Sequence, residues 1–219
     1  MKLLLTSNGL CNRSIIDALA DLLEKRFEKS SIAFIPTAAN VEVGDKHWLV
    51  NDLDNCRKAG FETIDIVDIS ALTKDQWRPR LDVADVLLFG GGNTFHLIYW
   101  IRKSGLDKLL PHYLKTKIYV GISAGSIIMG KSIFLSHAKK LYYPDFKGTP
   151  DERFLELVDF SIRPHLNNKP NFPQVNAKII GEYAKKLPET IYALDDKSAI
   201  KVTDGKIEVI TEGSYLIFN

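Results

Sequence analysis

The run Tyr119-Val120-Gly121-Ile122-Ser123-Ala124-Gly125-Ser126 places one serine between two glycines, each two positions away. A β-rich stretch precedes it, and a helix-forming stretch (Ile127, Ile128, Met129) follows. That is the strand–elbow–helix context in which a G-x-S-x-G element presents a nucleophile. A serine at so sharp a turn holds a strained backbone, and bulky neighbours would clash there. The helix start behind it favours developing negative charge. The N–H of Ala124 is placed to donate to an oxyanion. The plainer reading is an ordinary strand-to-helix turn, where glycine and serine are common.

A second element, Phe89-Gly90-Gly91-Gly92-Asn93-Thr94-Phe95, also follows an apolar run. Three glycines let the chain turn tightly and expose backbone N–H groups. Asn93 or Thr94 would cap the next helix. A nucleotide site is the weaker reading, because both G-x-G-x-x-G spacing and a Gly-Lys-Ser/Thr ending are missing. An oxyanion loop fits better, supplying one donor while Ala124 supplies the other.

A serine nucleophile needs a base within hydrogen-bond reach. The chain has five histidines. His47, His96 and His112 fall in predicted helices. His137 lies in an irregular segment. His165 follows a short strand and Pro164, at a strand end where a parallel sheet would bring it near the elbow. A carboxylate should orient the imidazole. Asp195 and Asp196 follow another strand, and alternation lets only one face the site. Asp145, Asp151 and Glu152 are alternatives whose plainer role is solvated loop charge.

These groups need a scaffold, and its pattern is legible. Expected strands are Leu3-Leu4-Leu5, Ile32–Ile35, Thr63–Val67, Ala84–Phe89, Lys117–Ile122, Phe160–Arg163 and Thr190–Leu194. Expected helices are Ser14–Lys29, His47–Lys58, Asn93–Lys103, Leu106–Leu114, one from Ser123 onward, and Val175–Lys186. Ile200–Ile210, with Asp204-Gly205 at its centre, reads as a hairpin. Residues 132–160 read as an irregular excursion. Near-continuous apolar strands alternating with helices predict an α/β fold, a mostly parallel sheet covered on both faces. Sites on such sheets form where strand ends meet the following loops.

The bulk numbers agree with one domain over 1–219. The 219 residues are 45% hydrophobic and 26% charged, with net charge +2. Short lysine pairs (Lys139-Lys140, Lys185-Lys186) read as solvated surface, not a nucleic-acid patch. Cys11 and Cys56 are far apart, which argues against a zinc site or disulfide scaffold and for a reducing compartment. No stretch approaches the ~18 apolar residues of a membrane span. The expectation is a cytoplasmic protein without metal, cofactor, nucleic-acid or membrane partner. A homodimer is left open.

Gly90-Gly91-Gly92-Asn93-Thr94-Phe95, Gly121-Ile122-Ser123-Ala124-Gly125 and Arg163-Pro164-His165, in this order, resemble the peptidase E and cyanophycinase group of serine peptidases. Phe34-Ile35-Pro36-Thr37-Ala38 and Leu194-Asp195-Asp196-Lys197-Ser198-Ala199 are similar to further segments of that family. The resemblance covers most of the chain. It implies a three-layer α/β sandwich like class I glutamine amidotransferases (flavodoxin-like). It also implies Ser123 as nucleophile, His165 as base, Asp196 as orienting acid, and backbone donors at Gly91, Gly92 and Ala124. Asn93 and Arg163 are expected to face a short peptide substrate, with Arg163 selecting acidic residues. Two positions depart from the peptidase E pattern. An Asn-Asp pair found soon after its serine is replaced by Leu135-Ser136-His137-Ala138-Lys139, and Arg163 stands where it has asparagine. The first departure keeps a second reading in view, a catalytically silent binding or regulatory protein on the same scaffold.

Overall fold

The computed structural model describes residues 1–131 and 154–219. Its first part alternates strands and helices: β1 (Lys2–Thr6), α1 (Arg13–Leu23), β2 (Ser31–Ile35), α2 (His47–Ala59), β3 (Thr63–Ile66) and α3 (Lys74–Val83). There follow β4 (Val86–Phe89), α4 (Thr94–Lys103), α5 (Leu106–Tyr113), β5 (Ile118–Ile122) and the short α6 (Ala124–Ile127). The last part holds β6 (Ser161–Arg163), α7 (Ala177–Ala184), β7 (Ile191–Leu194), β8 (Ser198–Thr203), β9 (Lys206–Thr211) and β10 (Tyr215–Phe218).

One sheet runs in the order β3-β2-β4-β5-β1-β8-β9. β3, β2, β4, β5 and β1 are parallel neighbours, while β8 and β9 add antiparallel pairs at one side. Every residue of β4 and β5 is buried. Alternation splits their side chains between two cores. Leu3, Leu5, Ile35, Leu87, Phe89 and Tyr119 face one helical layer, while Leu4, Ile32, Phe34, Val86, Leu88 and Val120 face the other. Each fully buried Leu, Ile or Phe contributes roughly 1.5–3 kcal/mol. The strand ends beneath the site are therefore firmly held. A second sheet, β10-β7-β6, pairs β6 and β7 in parallel and β10 against β7.

Local differences have local causes. The first helix stops at Leu23, not Lys29, because Glu24 turns left-handed at φ 57° and a 3-10 turn, Phe27–Lys29, follows. Helix α3 was not expected; Pro79 lies inside it and its surface is polar. A reciprocal Thr73–Gln76 cap starts it, and buried Trp77 and Leu81 anchor it. Strand β10 was also not expected; it is four residues long and mostly exposed. The hairpin turn at Asp204-Gly205 has positive φ at both residues, 48° and 86°, as a type I′ turn requires. His137, Asp145, Asp151 and Glu152 lie outside the described residues. Among the described residues no helix is long and apolar enough to cross a membrane, and no cluster of metal-ligating side chains occurs.

Candidate active site

Ser123 ends β5 and starts α6, with φ 48° and ψ −102°. This is a left-handed, strained setting for a residue with a side chain. The turn is clamped from β1. Ser123 N–H donates to the Thr6 carbonyl at 3.1 Å, and Ser126 Oγ donates to the same oxygen at 2.7 Å. The flanking glycines are steric necessities. A Cβ on Gly121 would stand 2.7 Å from the Gly125 carbonyl, and one on Gly125 would run into the Phe89 carbonyl.

The glycine loop after β4 faces the serine. A Cβ on Gly91 would lie 3.6 Å from that of Ser123. Gly92 takes φ +125°, and a side chain there would strike the Ala38 backbone. The N–H groups of Gly91, Gly92 and Ala124 donate to no other group among the described residues. Asn93 stands elsewhere. It is 3% exposed, its Oδ1 accepts from His96 N–H at 3.0 Å, and it caps α4 instead of facing the cavity.

The small sheet brings the other partners. His165 follows β6, and its Nε2 lies 2.9 Å from Ser123 Oγ. Its Nδ1 lies 2.6 Å from Asp196 Oδ1, just beyond β7. An imidazole that donates from Nδ1 to the carboxylate leaves the Nε2 lone pair free to accept the serine proton. Asp195 is turned away. Its carboxylate accepts from Ser198 Oγ at 2.6 Å and Ser214 N–H at 2.5 Å, stapling the loop before β8.

Three contacts around this constellation escaped the sequence reading. Ser7, after β1, donates to Asp196 Oδ1 at 3.2 Å and accepts from His165 N–H at 2.9 Å. Asn168 donates to Asp196 Oδ2 at 2.6 Å. Phe172 stacks on the His165 ring, centroids 4.2 Å apart and planes at 8°. The only sequence signal was their place in turn-like loops beside the motifs. Burial pushes the Asp196 carboxyl up, but hydrogen bonds from His165, Asn168 and Ser7 outweigh it and hold the group below the ordinary carboxylate value.

Ser123, His165 and Asp196 open onto a cavity of about 910 Å³. Arg163 and Asp52 also line it. Arg163 is 4% exposed, and one of its terminal nitrogens has no hydrogen-bond partner among the described residues. Burial lowers its pKa to about 10, so it stays charged near neutrality. A polarisable serine, an imidazole held in one tautomer and unused amide donors suit nucleophilic attack on a carbonyl.

The whole arrangement has relatives. The model of peptidase family S51 matches residues 3–210. An uncharacterized peptidase of Listeria monocytogenes is 32% identical over 199 residues, covering 86% of this chain and 89% of that protein. Peptidase E of Shewanella oneidensis is 38% identical over 92 residues, 42% of this chain and 37% of its own length. A crystal structure described as a peptidase E protein of Listeria monocytogenes superimposes with TM-score 0.77 at 25% identity, over 97% of this chain and 98% of that one. The fold is thus the glutamine amidotransferase-like sandwich, and the class is that of serine-type peptidases. The chain belongs to peptidase family S51.

Proposed function

We propose that this protein hydrolyses short peptides through a Ser123–His165–Asp196 site. The observation that carries the reading is the unbroken chain of hydrogen bonds from Asp196 through His165 to Ser123, at the wall of an open cavity. Ser123 Oγ attacks the scissile carbonyl carbon while its proton passes to His165 Nε2. The amides of Gly91, Gly92 and Ala124 receive the oxyanion. The imidazolium then protonates the leaving amine, and the C–N bond breaks to leave an acyl-serine. Water, deprotonated by the same nitrogen, releases the acid. Asp196 stays ionised throughout and stabilises the imidazolium.

Arg163 supports a preference for acidic peptides. A buried guanidinium without a partner gains most from a carboxylate, which it can grip with two parallel hydrogen bonds. The cavity volume favours short peptides. Two free cysteines, Cys11 exposed and Cys56 buried, support a reducing, cytoplasmic setting.

The test pairs a fluorophosphonate probe with Ser123→Ala. The wild-type protein should label at Ser123 and cleave a short acidic peptide. The variant should lose roughly a thousandfold or more in kcat with its circular dichroism unchanged. Turnover near wild-type level in the variant overturns the assignment. A wild-type serine that neither labels nor hydrolyses identifies a silent binding protein.

A further inference from the structure

The base of the proposed site rests on an aromatic face. His165 and Phe172 lie in one loop, residues 164–176, between β6 and α7. Their rings are parallel to within 8°, with centroids 4.2 Å apart. By contrast, His96 meets Trp100 at 67° and His112 meets Tyr113 at 56°. The loop is built to hold this stack. His165 and Asn167 both take left-handed backbone, φ 65° and 62°, a costly setting that surrounding bonds must enforce. Asn168 N–H donates to the His165 carbonyl at 3.2 Å, and Phe172 N–H donates to the Asn168 carbonyl at 2.7 Å. Asn167 N–H closes the loop by donating to the Val175 carbonyl at 2.9 Å. Phe172 also packs against the small core that holds Leu166, Val175, Ile180 and Ile191. The phenyl ring is thus anchored in that core while it covers the imidazole.

We infer that Phe172 is a positioning residue of the proposed reaction: its ring keeps the His165 imidazole in plane with Ser123 and Asp196, and its π-face stabilises the imidazolium that forms as Ser123 attacks. The inference rests on the reading of Ser123–His165–Asp196 as a peptidase site and names what steadies its base.

The two hydrogen bonds of the imidazole, to Ser123 and to Asp196, reach its nitrogens. Such bonds lie near the plane of the ring and do little to resist its tilting. A second ring packed flat against it does. Proton transfer then gives the imidazole a charge. His165 is 8% exposed, so water screens little of that charge. A cation within about 6 Å of an aromatic centroid, over the face, is attracted by the ring quadrupole, and more strongly when desolvated. The attraction exists only once the proton has moved, so it lowers the barrier without tightening substrate binding. Asp196 supplies the opposite charge at the ring edge. Asp52, a buried acid of the same cavity, adds nothing there: it is 7% exposed and makes no hydrogen bond or ion pair among the described residues. Phe172 lines the cavity too. A plain contact with substrate is therefore the competing role, and it would act on KM.

The test compares Phe172→Leu, Phe172→Tyr and a protein with pentafluorophenylalanine in place of Phe172, all on one short acidic peptide. Phe172→Leu should lower kcat about tenfold or more, with KM within about twofold of wild type. Phe172→Tyr keeps the face and should hold kcat within about threefold. Pentafluorophenylalanine keeps the shape but reverses the quadrupole. Its kcat should fall about fivefold or more at an unchanged melting temperature, which a packing role alone would not produce. Wild-type kcat in the pentafluoro protein overturns the inference, as does a Phe172→Leu effect confined to KM. Either result leaves the serine assignment standing if the wild-type protein still labels with fluorophosphonate at Ser123. If the wild-type protein neither labels nor turns over peptide, both assignments fall together.

Discussion

The unpaired carboxyl of Asp52 predicts a protein that gains stability when the group is removed, and gains it only above mildly acidic pH. In the folded chain the carboxyl titrates at about 7 in place of the ordinary 3.8, and burial is the cause. A group raised in this way leaves the fold unharmed well below its ordinary value of 3.8, where it is neutral in both states. Stability is then lost as pH climbs from about 4 to 7, because the unfolded chain ionises first. At about 1.4 kcal/mol per pH unit, the full cost is roughly 4 kcal/mol. About 2–3 kcal/mol of it develops between pH 5 and 8.5. Asp52→Asn cannot titrate, so its urea midpoints should gain on the wild type by that amount over the same interval. An asparagine with unmet hydrogen bonds adds a constant offset of about 1–2 kcal/mol, which cancels between the two pH values. Taking the difference between the two proteins also cancels every other titrating group. The assay is urea denaturation of both proteins at pH 5 and 8.5, with the slopes shared. A difference that stays flat across this interval would refute the claim that Asp52 is buried without a partner.

Other perturbations test separate parts of the argument. Asp196→Asn should lower kcat by roughly 10³–10⁴ with KM little changed, since His165 loses its tautomer and its counter-charge; steady-state kinetics decide, and a tenfold loss or less would remove Asp196 from that role. Arg163→Met should stabilise the fold by about 1–3 kcal/mol in chemical denaturation, because a desolvated, unpartnered charge is replaced by apolar volume. It should also raise KM for acidic peptides about tenfold or more, and an unchanged peptide preference would dismiss Arg163 from recognition. Gly125→Ala should cost about 3 kcal/mol or more, or yield insoluble protein, because its new carbon meets the Phe89 carbonyl; a wild-type melting temperature would contradict the packing described at the elbow.

The parallel half of the large sheet was legible because β4, β5 and β2 are nearly continuous apolar runs, buried on both faces. The two glycine-bearing motifs were legible because a close backbone approach leaves no residue but glycine. Asp52 was not. On a polar, amphipathic helix its letter is the same as that of Asp54, which is half-exposed and pairs with Arg57 and Lys58. Ser7 and Asn168 were invisible for a related reason: their partners lie 189 and 28 residues away, and no local pattern encodes such a meeting. Asn93 shows the reverse. Its sequence signal as a helix cap was sound, and its Oδ1 accepts from His96 N–H at the start of α4. Helix α3 could have been found from Thr73 and Gln76, whose spacing is that of a capping box.

The division of the site between two sheets has a further meaning. Ser123 rides on β5, while His165 and Asp196 hang from the ends of β6 and β7. The two bodies meet at a close seam, where Gly130 lies against Phe160 with no space for a methyl group. A parting of that seam by the width of one water molecule would take the imidazole beyond the ~3.5 Å limit of a hydrogen bond, while every strand kept its own neighbours. Competence therefore reports the docking of the two bodies, a more demanding condition than the integrity of either.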